Sequence, residues 1–420
     1  MLCLKWGFLI MIKKHLDLKK KDDVESHNNE NINNKDKPAE NKGKKEIQHV
    51  HSEESVLKDR KIDEQTAIRN FRYLDELIHS GVKEIVLDSD IVLDPDEESQ
   101  YLNGIKLDAD DLAIDGNGHA IDAQGLTRIF YCTGKNIIIK NIILKNGFTI
   151  ENGGAINNEG ELTITESTLT ENTTKNGDGG AINNEGELTI TESTLTENTA
   201  KYGGAIHNNG ELTITKSTLT GNTAHRYGGA IHNNKGGELT ITKSTLNNNI
   251  VEVSGGAIHN NKGGELTITE STLNNNTAHW KGGAIYNWKG ELTITESTLN
   301  ENTAKDDGGA INNYKGELTI TKSTLTENTA KDDGGAINNS EGELTITKST
   351  LNENTARYDG GAIRNSEGEL TITESTLQQN IARYENSGAI FKNGGAISNY
   401  GIKSFKIKDC KLDNNIPNNY

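Results

Sequence analysis

The chain has 420 residues, with 61 acidic against 44 basic side chains, a net charge of −17 at pH 7, and only 32% hydrophobic and 5% aromatic residues. An acidic balance of this size argues against nucleic acid as a partner. Three cysteines cannot staple a disulfide-built scaffold, and no apolar run is long enough to span a membrane as a helix.

Residues 1–60 open with Lys5 and the seven-residue apolar run Trp6–Ile12, closed by Lys13 and Lys14 without a small-residue cleavage site. The run is weak as a signal peptide and too short for a membrane helix. The rest of this segment is mostly Lys, Asn, Asp and Glu, which predicts a disordered polar tail. Its charge is +2, so the remainder carries −19. Residues 61–82 predict a capping α-helix within Ile62–Ser80. Ala67, Ile68, Phe71, Leu74, Leu77 and Ile78 share one face at helical spacing, and Gly81 ends it. Such a helix would cover an otherwise open strand edge.

Residues 83–416 read as one stack of coils. Ile85, Leu87, Ile91 and Leu93 suggest a first strand pair, Gly104–Gly125 a coil, and Ile129–Gly147 another. Between Gly153 and Gln379 a phrase of about 26 residues, GGAI-x-N followed by a glycine turn, ELTIT, STL and a further Asn, recurs nine times. Gly394–Asn415 closes the series. Alternating Leu and Ile with Thr gives the period of two expected of a strand, and the glycine pairs disfavour a helix. Three short strands and three turns per period make a right-handed parallel β-helix, an all-β solenoid of about 13 coils and about 60 Å at the strand spacing. Leu162, Ile164, Leu169 and Ile156 face inward, and Glu161, Thr163 and Thr165 face outward. Asn158, Asn184, Asn208 and their copies form one column, and Asn172, Asn198, Asn222 and theirs a second. Both predict amide ladders that satisfy turn backbone groups. The double glycines predict positive φ at the third turn. Cys132 and Cys410 lie many coils apart, so no disulfide joins them.

The GGAI block, the Leu-Thr-Ile strand and the L-x-x-N element resemble the repeats of bacterial polymorphic outer membrane proteins. They also resemble the adhesin-like proteins of methanogenic archaea, both groups being pectin-lyase-like right-handed β-helices. The lead-in with Leu112–Gly118 and Ile121–Ala123 resembles the archaeal group more closely, and the resemblance covers about residues 84–416. Leu169 and its copies stand where the bacterial repeats usually have Phe. The resemblance implies an exported protein at the cell surface that binds a glycan or protein there without catalysis.

Four outward rows are candidates for chemistry. The position after GGAI carries Asn157, Asn183, His207, His232, His259, Tyr286, Asn312, Asn338 and Arg364 and is the expected binding face. His207, His232 and His259 fall in consecutive coils, a weak candidate for a metal, although drift within a duplicated column explains them better. Asp306, Asp307, Asp332 and Asp333 with Arg357 are the residues an enzyme would use, since lyases and glycosidases on this fold need carboxylates and a base. Their embedding in near-identical copies favours a solvated turn. The Glu161–Glu369 column offers at most weak calcium binding, and no other cofactor is expected. The Thr163 and Thr165 files resemble an ice-binding array, but threonine is also an ordinary strand former on a solvated face.

Overall fold

In a computed structural model the chain is described over residues 69–383, 394–401 and 403–416. The tail expected over 1–60, residues 61–68 of the expected helix, and Pro417–Tyr420 lie outside the described residues.

An isolated Leu-Thr-Ile-Thr strand sends its apolar residues to one side and cannot cover them by itself. Stacking copies solves this, because each coil closes an apolar interior that the next one seals. Leu162, Ile164, Leu169, Ile156 and their copies in the nine repeats are at most 2% exposed. Glu161–Thr165 pairs in parallel with Glu187–Thr191, residue for residue. The same register runs from Glu84–Val86 to Ser404–Lys408 in a 13-stranded sheet. A second 13-stranded sheet holds the Thr168–Thr170 strand and its copies, and a 12-stranded sheet holds Ile156–Asn158 and its copies. These are called the Leu-Thr-Ile, Thr-Leu-Thr and Ile-x-Asn sheets below.

Each coil in the repeats contains four strands rather than the expected three. Thr173–Thr174 and its copies form a ten-stranded sheet from Phe148–Thr149 to Ile381–Ala382. Strands of two residues carry no visible alternation, which is why this Thr-Ala sheet is hidden in the sequence.

Helix α1 spans Phe71–Ile78 and is shorter than its apolar pattern suggests. Asn70 caps it, its Oδ1 accepting from the Tyr73 backbone N–H at 3.1 Å. Phe71, Leu74 and Ile78 are buried and continue the solenoid core at its N-terminal end.

Three turns per coil are held by self-matching polar columns. Asn158 Nδ2 donates to Asn184 Oδ1 at 2.7 Å, and Asn184 Nδ2 to Asn208 Oδ1 at 2.8 Å. In the second ladder the Asn172 backbone N–H and Nδ2 both donate to Asn198 Oδ1 at 3.0 Å, while Nδ2 also reaches Leu144 O at 3.1 Å. Asn198 repeats this toward Asn222. A third ladder, not anticipated from sequence, is made of serine. Ser167 Oγ donates to Thr165 O at 2.7 Å, and the Ser167 N–H donates to Ser193 Oγ at 3.1 Å.

Positive φ is not confined to the glycines. Gly153 has φ 69° as expected, and a Cβ on Gly154 would fall 2.2 Å from Gly180 O. Glu166 and Glu171 also sit at φ 49° and 56°, each just before a ladder residue. The ladder bonds offset a strain of about 1 kcal/mol or more at such positions. Along the Glu166 turn the residues run Glu166, Glu192, Lys216, Lys243, Glu270, Glu296, Lys322, Lys348, Glu374. Each lysine pairs with a neighbouring glutamate, as in Lys216 with Glu192 at 2.9 Å and Lys322 with Glu296 at 2.8 Å.

Replacing Asn276 with Ala removes the acceptor of the Asn249 N–H and the donor to Leu246 O, both buried. Denaturant unfolding should report a loss of about 3 kcal/mol, against under about 1 kcal/mol for Asn234→Ala on the outer surface.

Candidate functional site

The Ile-x-Asn strands point Ile and Asn inward and the middle residue outward, so the expected binding column does leave the coil on the outer side. It is nevertheless covered. Asn157, Asn183, His207, His232, His259, Asn312 and Asn338 are all 8% exposed or less, while Tyr286 and Arg364 are half-buried. The loop before each glycine pair folds back over the sheet, and its last residue meets the middle residue of the next coil. Asp178 Oδ2 lies 3.9 Å from His207 Nδ1. The Tyr202 ring lies 5.3 Å from His232, and the Tyr227 ring 4.5 Å from His259. Asp333 Oδ2 lies 3.1 Å from Arg364 Nε, at ion-pair distance without hydrogen-bond alignment. The expected binding face is therefore an interior seam between sheet and loop.

Within the seam the three histidines succeed one another with ring centres 5.0 and 5.1 Å apart, the first pair tilted at 56° and the second edge-on at 76°. His207 Nδ1 and His232 Nδ1 are 3.1 Å apart, so one ring donates N–H to the other's lone pair. Burial lowers the pKa of His207 to about 4 and of His259 to about 3, and holds His232 well below its ordinary value. Among the described residues no three His, Cys, Asp or Glu side chains converge as a metal would require. Burial raises the Tyr286 hydroxyl to about 12.

The acidic candidates occupy the same loop further along. Asp307 Oδ2 lies 2.8 Å from Lys281 Nζ, and Asp333 Oδ1 accepts from the Asp359 N–H at 3.0 Å. Burial pushes Asp333 up to about 6, and burial followed by Asp332 and Asp307 raises Asp306. The Arg357 guanidinium lies 5.0 Å from the Tyr358 ring centre. Asp307 and Asp333 thus point at cations beneath or beside the loop, and Asp306 and Asp332 are half-buried in it.

The accessible row of the same sheet lies two residues further on: Glu159, Glu185, Asn209, Asn234, Asn261, Trp288, Tyr314, Ser340, Ser366 and Tyr400 are half-buried or exposed. Because alternate residues share a face, this row was implicit in the register. Asn234 Nδ2 donates to Asn209 Oδ1 at 2.7 Å, and Asn261 Nδ2 to Asn234 Oδ1 at 3.0 Å. Trp288 pairs in register with Tyr314 on the next coil, with Lys289 Nζ 5.5 Å and Lys315 Nζ 5.1 Å from the respective ring centres. At its N-terminal end the row enters an open cleft of about 670 Å³ lined by Arg128, Tyr131, Ile150, Asn157, Glu159 and Glu185. Arg128 is fixed there by donating to the carbonyls of Gly153 at 2.9 Å and Asn152 at 2.7 Å.

Residues 216–234 and 270–287 match the Chlamydia polymorphic membrane protein repeat. Those two segments are similar to that repeat over 19 and 18 residues. No curated protein sequence matches the chain significantly. Among solved structures, a double mutant of the tailspike protein of E. coli bacteriophage HK620 in complex with a pentasaccharide is similar at 10% identity and a TM-score of 0.42. That match covers 78% of this chain and 66% of the tailspike, just under two thirds of its length. The HK620 tailspike without those substitutions, also in complex with a pentasaccharide, gives 10% identity and 0.41 over the same coverage. No helix among the described residues is long and apolar enough to cross a membrane.

The buried histidines make stability depend on pH. The unfolded chain protonates them near pH 6.5, whereas the fold resists protonation until about 4 at His207 and about 3 at His259. The unfolded state binds more protons across that window, so stability falls as pH drops below 6.5. Asp178 and Asp333, raised to about 6, and Asp306, also raised by burial, oppose this between pH 6 and the ordinary carboxylate range, but Asp306 is the least buried of the three and the carboxyls offset the three imidazoles only in part. Denaturant midpoints should be lower at about pH 5 than at about pH 7.5. The double substitution His232→Asn and His259→Asn, copying the residues at Asn312 and Asn338, should flatten the difference. An unchanged pH slope would assign the effect to other groups.

Proposed function

We propose that the chain is a non-catalytic, adhesin-like scaffold of the cell surface that binds a repetitive glycan along the outward face of the Ile-x-Asn sheet. The observation that carries this reading is the accessible row itself: a run of amides from Asn209 to Asn261 followed by Trp288 and Tyr314, in register on consecutive coils. Amides donate to and accept from sugar hydroxyls, and aromatic rings offer flat apolar area to sugar C–H faces while losing little conformational entropy. One modest contact per coil, repeated at about 4.8 Å, accumulates along a repetitive ligand. The polymorphic membrane protein repeats support a surface role.

Catalysis is the rival reading, and the carboxylates give it little support. A glycosidase needs two carboxyl groups facing one another across space a sugar can enter. Here Asp307 is held by Lys281 and Asp333 lies against Arg364.

The test is binding of the full chain to an array of surface glycans, with a parallel assay for newly released reducing ends. Retention on glycans is expected, weakened about tenfold or more by the pair Trp288→Ala and Tyr314→Ala, each aromatic anchor contributing on the order of 1 kcal/mol. Asp332→Ala should leave binding intact. Product release abolished by Asp332→Ala would replace the scaffold reading with an enzyme.

A further inference from the structure

The turn that follows the accessible row carries Lys235, Lys262, Lys289 and Lys315 in four consecutive coils, then Glu341 and Glu367 in the next two. All four lysines are exposed. Among the described residues Lys315 has an ion pair, with Glu341 at 3.1 Å, and Lys235, Lys262 and Lys289 have none within salt-bridge distance. The Glu166 turn shows the contrast, since each of its four lysines is matched by a neighbouring glutamate. At a spacing of about 4.8 Å per coil the four lysine-bearing turns form a ridge about 14 Å long on a strongly acidic chain, Lys235 and Lys262 lying one residue further from the next strand than Lys289 and Lys315. The glutamates Glu238, Glu265, Glu291 and Glu317 begin the next strand, around the turn, on the Leu-Thr-Ile sheet.

The ridge borders the part of the row made of Asn234, Asn261, Trp288 and Tyr314. We infer that this segment binds an anionic polysaccharide, its carboxylate or sulfate groups meeting the lysine ridge while its sugar rings lie over the amides and aromatic rings. The inference rests on the glycan-binding reading above and adds the charge class of the ligand. Cations alone would serve any polyanion, including nucleic acid or an anionic membrane. The neighbouring amide ladder and the two rings favour a polymer that offers hydroxyl groups and apolar ring faces along its length. The acidic remainder of the surface repels polyanions at long range, so binding must come from close contacts and weaken with salt as the screening length falls to about 8 Å at physiological ionic strength.

The structure also supplies a variant that keeps the fold. Lys289 and Lys315 have φ 57° and 56°, and Glu341 and Glu367 occupy the same turn position at φ 56° and 55°. Glutamate is thus native to this position, and Lys289→Glu with Lys315→Glu should fold normally. The experiment measures binding of the full chain at low salt to immobilised dextran sulfate, polygalacturonate and neutral dextran, with duplex DNA and phosphatidylserine vesicles alongside. Retention is expected on dextran sulfate or polygalacturonate and not on dextran, and whichever polymer is held more tightly assigns sulfate or carboxylate. The double lysine variant should weaken it about tenfold or more, whereas Lys322→Glu with Lys348→Glu, an equal charge change on another turn, should leave it within about twofold. Equal losses from the two variants, or binding of DNA or vesicles as tight as of polysaccharide, would overturn the inference. If neutral glycans bind through Trp288 and Tyr314 without any preference for anionic polymers, the charge assignment fails and the glycan reading stands. If no glycan binds at all, both fail.

Discussion

A carboxamide donates and accepts at once, so it can hydrogen-bond to an identical copy of itself, and the whole solenoid depends on that property. In-register stacking makes each residue's nearest neighbour its own counterpart one coil away. Every position must therefore tolerate itself. Asparagine and serine do so while fully buried, where any unpaired polar atom would cost free energy. Leucine and isoleucine do so by packing. Glutamate does so only on the outer surface, where water screens the unbroken Glu161–Glu369 column and lysine counterparts interrupt the Glu166 column. The same rule bears on the histidines, of which His207 and His232 share a hydrogen bond and His259 meets His232 edge-on, with burial holding the pKa of all three low.

Much of this was legible from the repeat alone. Period-two alternation gave the inward residues correctly, and both asparagine ladders followed from their spacing. The serine ladder was hidden because Ser167 directly precedes Thr168 in a threonine-rich stretch and looks like one more strand-forming hydroxyl. The Thr-Ala sheet was hidden because two residues are too few to alternate. The binding column was misplaced for a different reason. Register tells which side of a coil a side chain leaves, but not whether the loop before the glycine pair returns to cover it. That loop is the most variable part of each repeat, running through Tyr202, Tyr227, Ser254, Lys281 and Asp307 at its last position. The best available clue to an accessible row was the intrusion of Trp288, Tyr314 and Tyr400 into a column otherwise made of Glu, Asn and Ser.

The coil is consequently divided by how freely its parts can vary. Inward residues, ladder residues and the glycine pair are fixed by contact with their copies. The accessible row and the turn beside it touch fewer neighbours and change from acid to amide to aromatic to hydroxyl along the axis. Binding chemistry can thus be altered coil by coil without disturbing the stack, as expected of a solenoid whose repeats contact only their neighbours.

The asparagine ladders also have a direction. In both buried columns Nδ2 of one coil donates to Oδ1 of the following coil, from Asn158 toward Asn399 and from Asn172 toward Asn415. None of these links is reversed, so the amide dipoles add, as they do along a helix. The two ends of the solenoid are therefore chemically different poles. At the last described coil the ladders direct amide hydrogens of Asn399 and Asn415 along the axis, and a group meeting them there must accept rather than donate.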